Sequence, residues 1–224
     1  MTNLLPPLND LAGGIFLLAA FALVATRQVR GTLRFFIIES LCLVASAILI
    51  AAVTGLRELY IVAAINLVSK PIVIPWLLRR LVPEDVHTRR EISLAINIPS
   101  ALLIALVIAV FSYFAGRILI TASPAGVAES NIPIGIAGLF LGAYTIAVRR
   151  EAVPQILGLL SMENGAFFLG VAFAPDLPVI AEIAAAFDSL IIAALVSILT
   201  RMIHLRVGTT EVGALARLKE ERHR

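Results

Sequence analysis

Thiols and imidazoles are scarce in this chain, which has one cysteine, Cys42, and three histidines in 224 residues. An iron–sulfur cluster needs about four thiolates, so this chain is not expected to hold one, and a structural zinc site is short of ligands too. No cofactor, no metal and no catalytic residue is therefore expected on it. Charge is also thin: 15% of the residues are charged against 60% hydrophobic, and the mean hydropathy is +0.99. Soluble domains run nearer half apolar and a quarter charged, so a soluble fold is excluded and an integral membrane protein is expected. The opening Met1-Thr2-Asn3-Leu4-Leu5-Pro6-Pro7 lacks the basic segment and small-residue cleavage site of a secretory signal, and is expected to stay in the mature chain. A net charge of +3 and a pI near 9.5 would suit nucleic acid. The basic residues, however, sit where membrane loops place them.

Seven apolar runs are present, at 11–26, 35–54, 60–78, 93–115, 134–148, 153–173 and 179–200. A helix of about 20 residues crosses a ~30 Å hydrocarbon layer, and lipid accepts only backbone that satisfies itself. The expected fold class is an all-α integral membrane protein with about seven transmembrane helices. Arg27, Arg30 and Arg34 follow the first run, Arg79, Arg80, Arg89 and Arg90 the third, Arg149 and Arg150 the fifth. Arg201, Arg206, Arg217, Lys219, Arg222 and Arg224 follow the seventh, which puts fifteen of the eighteen lysines and arginines on one side. Arg57 and Arg117 fall on the other side and Lys70 inside a span. The positive-inside rule then places the amino terminus outside and the carboxyl terminus in the cytoplasm. Six or eight spans would spoil that asymmetry.

Four regions follow: a four-helix part at 1–115, an outer loop rich in Gly, Pro and Ser at 116–133, three helices at 134–204 and a basic cytoplasmic tail at 205–224. The connection 81–91 is polar and mixed in charge, a cytoplasmic turn. The tail, with Leu215 and Leu218 three apart, lies on the leaflet, docks on a soluble partner or stays solvated.

Five ionisable residues fall inside the runs: Glu39, Lys70, Glu163, Glu182 and Asp188. Each costs roughly 2.5–3.5 kcal/mol on insertion scales and is normally kept for a pathway or a partner. Glu163 stands near mid-depth of 153–173, where it serves either as a functional carboxylate or as protonated packing glue. Asn164 and Ser161 flank it and can supply neutral hydrogen bonds or hold a water. Lys70 precedes Pro71, and Pro75 repeats the break one turn on, so a kinked helix is expected. Its ammonium either works buried, near neutrality, or snorkels to the headgroups beside Arg79 and Arg80. Asp188, near the middle of the last span, is the expected buried partner of Glu163. Glu182, about 600° round the same helix, faces elsewhere and lies nearer the outside. Glu39, one turn inside the cytoplasmic end of its span, is expected to pair with Arg34 or Arg30, with a place among the proton-relay candidates as the alternative. Gly138 and Gly142 form a small-xxx-small pattern that lets a neighbouring helix approach closely, and Tyr144 and Trp76 suit interface anchors.

The segment 139–219 resembles the hydrogenase-4 component E family. The resemblance is carried by the Arg149-Arg150 pair, Gln155, Gly158, the block Met162-Glu163-Asn164-Gly165, Glu182, Asp188 and the basic exit at Arg201; the first four spans match more loosely. It implies a multi-pass, non-catalytic membrane subunit of a complex-I-like oxidoreductase assembly, such as a group 4 hydrogenase or formate hydrogenlyase, in a bacterial or archaeal cytoplasmic membrane. Its partners would be antiporter-like membrane subunits, and no nucleic acid. The last three spans are also similar to the K subunit of respiratory complex I and the C subunit of multisubunit sodium/proton antiporters. Where the K-subunit pattern has a glutamate after Gly-Leu, this chain has Leu160, and Glu163 comes three residues later, about 300° round. Three functions are then open. The first is a relay of Glu163, Asp188, Lys70 and Glu182 that moves protons or sodium, coupled to redox chemistry elsewhere. The second is a scaffold in which the same charges only lock helices. The third is an autonomous carrier, against which the lack of recognisable inverted halves counts.

Overall fold

The computed structural model describes residues 4–81, 96–122, 129–173 and 179–207. Their regular structure is helical: α1 (Leu5–Ala25), α2 (Val29–Thr54), α3 (Arg57–Val68) running through a π turn (Ser69–Val73) into α4 (Ile74–Leu81), α5 (Ile98–Ala122), α6 (Asn131–Val148), α7 (Ala152–Phe173) and α8 (Val179–Val207). With α3, the π turn and α4 taken as one rod, six helices are long and apolar enough to cross a bilayer. The seventh, α8, contains a shorter apolar stretch, Ala185–Leu199. The described residues make an all-α membrane protein of seven helices, as the hydropathy predicts.

Several helices start earlier than their apolar runs, and proline is the reason. Pro6 and Pro7, Pro99, Pro133 and Pro154 all lie in first turns, where an N–H would have had no helical partner. Thus α1 begins at Leu5 and takes in Asn9 and Asp10, and α6 begins at Asn131. The outer loop is shorter than 116–133, because α5 continues through Arg117 to Ala122. In contrast, α5 starts late: Asn97 caps it by accepting the Ser100 N–H at 3.1 Å. Most of the expected turn at 81–91 and of the tail at 205–224 lies outside the described residues.

The tightest pair is α6 against α7. A methyl group on Gly142 would fall on the backbone of Met162, and one on Gly165 on the backbone of Leu139; on Gly138 it would meet the Phe16 ring at 2.6 Å. The small residues let the two backbones touch, which in lipid replaces the hydrophobic drive that water gives soluble bundles. Gly142→Leu is expected to cost about 3 kcal/mol through overpacking and to cut the yield of folded protein in detergent. Gly14→Leu, whose side chain meets open space, is the control; equal yields would refute the close-contact role.

Helices α1 and α2 pack on this hairpin, with Phe16 and Phe168 ring to ring at 4.8 Å. One core joins Phe16, Leu43 and Ile50 to Ile132 and Phe168, and a second joins Leu23, Phe36 and Leu78 to Leu157. The regions 1–115 and 134–204 therefore share their interior. At one end a closed polar ring pins α1, α2 and α6: Asn9 Nδ2 donates to Asn131 Oδ1 (2.8 Å), Ser46 Oγ to Asn9 Oδ1 (2.6 Å) and Asn131 Nδ2 to Ser46 Oγ (3.0 Å). At the other end Arg149 Nη2 donates to the carbonyls of Leu23, Val24 and Thr26. The basic connections after α1 and after α6 thus share one end of the bundle. Helix α8 closes the side, packed on α3, α4, the π turn and α7.

Candidate functional site

The site begins with two prolines. Pro71 cannot donate to the carbonyl one turn back, nor can Pro75 four residues on. The rod widens there for one turn, and the Ile74 N–H reaches Ser69 O, five residues back. A π turn slips the helix by one residue and aims side chains that a regular helix would place elsewhere. Here it turns Lys70 inward.

Lys70 is buried, and its Nζ lies 3.7 Å from Glu163 Oε1 and 5.9 Å from the centre of the Phe167 ring. The snorkelling alternative is thereby set aside, since the ammonium is 3% exposed. Glu163, at the middle of α7, is 29% exposed. Its two carboxylate oxygens each lie 2.6 Å from Ser189 Oγ on α8, which also lies 2.9 Å from the carbonyl of Ala185. A hydroxyl has one proton to give, so Ser189 holds either the carboxylate or its own helix.

On the other side of α7 stands Glu39, fully buried on α2. Ser161 Oγ donates to its Oε1 at 2.9 Å, and Oε2 has no hydrogen-bond partner among the described residues. Asn164 lies beside it, and the Lys70 ammonium acts on it electrostatically. Asn164 Nδ2 also donates to Ser40 Oγ at 3.2 Å, whose own proton goes to Phe36 O. Lys70, Glu163 and Glu39 therefore stand in one layer, with Ser161, Asn164, Ser40 and Ser189 around them, drawn from α2, the π turn, α7 and α8. It holds one cation and two carboxyl groups.

Two sequence expectations are corrected. Glu39 does not pair with Arg30 or Arg34; α2 starts at Val29 and carries Glu39 inward onto α7, where Ser161 meets it. Asp188 is not the buried partner of Glu163: it is exposed, and the next residue, Ser189, takes that place, about 100° further round α8. Glu182 falls within α8, but its side chain lies outside the described residues. Gly138 and Gly142 sit at the α6–α7 contact. Trp76 is exposed, with the Arg80 guanidinium 5.2 Å from its ring, while Tyr144 is half-buried.

Ser189 and Ser40 were not singled out in the sequence, and Arg149 was read there only as a loop cation and a carrier of the family resemblance. The signal for Ser189 was present in the buried spacing Ala186, Ser189, Ala193, Ser197, small residues at one helical face. Among the described residues no group of three or more His, Cys, Asp or Glu is placed to hold a metal ion.

No family model matches the chain, and no solved structure matches it significantly. A protein described as hydrogenase-4 component E from Escherichia coli K12 is 23% identical over 214 residues, 94% of this chain and 96% of that one. The component E of Shigella flexneri matches equally. An uncharacterised protein of Mycobacterium tuberculosis is 26% identical over 213 residues, 95% of this chain and 96% of its own. The likeness reaches well beyond 139–219 into the first four spans, so the layer built by α2, the π turn, α7 and α8 falls inside the aligned region. The protein is a distant homologue of hydrogenase-4 component E, related to it along nearly the whole of both chains.

Proposed function

We propose that the chain is a membrane subunit of a hydrogenase-4-type, complex-I-related assembly, and that Glu163, Lys70 and Glu39 form a relay that holds and passes a proton while partner subunits carry out the redox chemistry. The observation that carries this reading is a buried ammonium 3.7 Å from Glu163, with a second, fully buried carboxyl, Glu39, held by Ser161, two residues from Glu163 on α7. One proton shared between the two carboxyls would balance the single cation there, and passing it between them would separate little charge. Ser161 donates to Glu39, Asn164 donates to the neighbouring Ser40, and Ser189 gives Glu163 a neutral donor that can let go. The host is a formate hydrogenlyase-type or other complex-I-like complex with antiporter-like partners in a cytoplasmic membrane. The carboxyl terminus lies in the cytoplasm, in keeping with the shared end of the basic connections.

Glu163→Gln keeps shape and hydrogen bonding but holds no exchangeable carboxyl proton. It is expected to leave the complex assembled and to slow coupled proton movement into inverted vesicles by roughly ten-fold or more. The scaffold reading is favoured by the closed ring of Asn9, Ser46 and Asn131, which locks helices and conducts nothing. It requires normal pumping from Glu163→Gln in an intact complex, and that outcome would remove the relay.

A further inference from the structure

Helix α8 shows two unlike faces. Ala186, Ser189, Ala193 and Ser197 are buried against the bundle, while Phe187, Ile191, Leu195 and Leu199 point away from it. Asp188 lies on the outward side. Its depth is known from its neighbour: Ser189 bonds to Glu163 in the middle of α7, so Asp188 stands level with the buried Lys70 layer, far from either headgroup region. From Asp188, the residues Ile192, Leu195, Leu199 and Met202 follow at offsets of four, seven, eleven and fourteen, all exposed, the spacing of a helix that packs side by side on another. A carboxylate at the head of such a stripe cannot be left to lipid tails without heavy cost.

We propose that this face of α8 is the docking surface for a transmembrane helix of a different membrane subunit, one that presents a lysine or arginine to Asp188 at mid-depth. Lipid offers no cation at that level. A second copy of this chain offers none either: copies share one orientation in the membrane, Lys70 is buried behind α8, and Arg201 lies thirteen residues along the helix, about 20 Å from Asp188. The partner's cation is therefore foreign to this chain. The inference rests on the chain being one subunit among several, and it is independent of the relay.

The test uses the whole complex in its native membrane, isolated through a tag on this chain. Asp188→Lys sets like charges face to face and is expected to reduce recovery of the touching subunit by at least about ten-fold. Asp188→Leu, which lipid would welcome, is expected to lose that subunit as well while the chain stays in the membrane. Leu195→Cys, alkylated with a thiol-reactive photo-cross-linker and irradiated, is expected to attach to one helix of the partner; the native thiol of Cys42 is buried and leaves the label at position 195. Converting the basic residue on that helix to Asp should then restore recovery with Asp188→Lys. Wild-type recovery from both Asp188 variants overturns the docking surface while the subunit reading survives. A cross-link to a second copy alone overturns it too. If the wild-type chain is isolated without any other membrane subunit, both fall.

Discussion

Lys70→Met is expected to destabilise the protein by about 3–5 kcal/mol, the cost of removing one member of a buried ion pair. The methionine fills much the same space, so the loss measures charge and not packing. Without the ammonium, Glu163 and Glu39 share the layer with no cation. Pairing the change with Glu163→Gln removes one of the two carboxyls. The double variant is expected to regain most of the lost stability, read as thermal unfolding in detergent, because contacting residues couple strongly in such cycles. Proton movement should stay as low as in Glu163→Gln alone. Equal destabilisation in the single and double variants would mean that Lys70 and Glu163 are not a functional pair, and the charge count behind the relay would be wrong.

The second large effect is expected at Arg149. Its guanidinium is buried, with one nitrogen serving the carbonyls of Leu23, Val24 and Thr26 at 2.8, 2.9 and 2.5 Å. Those groups end α1, where the last turn has no partners of its own and carries partial negative charge. Burial pushes the Arg149 pKa down to about 10, with Glu151 opposing the shift, so the group is charged at neutral pH. Gln155 Nε2 donates back to the Arg149 carbonyl at 2.7 Å, which ties the start of α7 to the same knot. Arg149→Met leaves these acceptors unpaired. At roughly 1.5–3 kcal/mol for each charge-assisted bond, the loss is at least about 3 kcal/mol. That corresponds to a melting temperature lower by roughly 6–12 °C. Arg149→Lys should recover little, because an ammonium is a compact point charge without the planar fork. Arg150, exposed next door, is the control, and an equal shift from Arg150→Met would show that the effect is only loss of charge at the membrane face.

Arg149 also illustrates what a linear reading misses. In the sequence it is one of a basic pair after a span, and both members count equally toward orientation. In the fold one of them turns back under α1 and becomes structural. The same holds for Glu39, whose position one turn inside a span suggests a surface pair with an arginine but whose side chain finishes against Ser161. Gly138 and Gly142 were readable as a close-approach pattern. Their opposite numbers, Gly158 and Gly165, are identified only by the antiparallel meeting of α6 with α7.

The apolar spans, their number and the spacing of the basic residues between them were written in the chain itself, because hydropathy and charge are local properties. The identities of the ionisable residues inside the spans were equally plain. Rotation about each helix axis and the choice of neighbour belonged to the tertiary structure alone. In a water-soluble bundle the polar face would have betrayed the rotation, but in lipid the outward face is as apolar as the inward one. A shift of about 100° on α8 therefore separated Asp188 from Ser189 with no hydrophobic signal to announce it, and only packing decided which of the two meets Glu163.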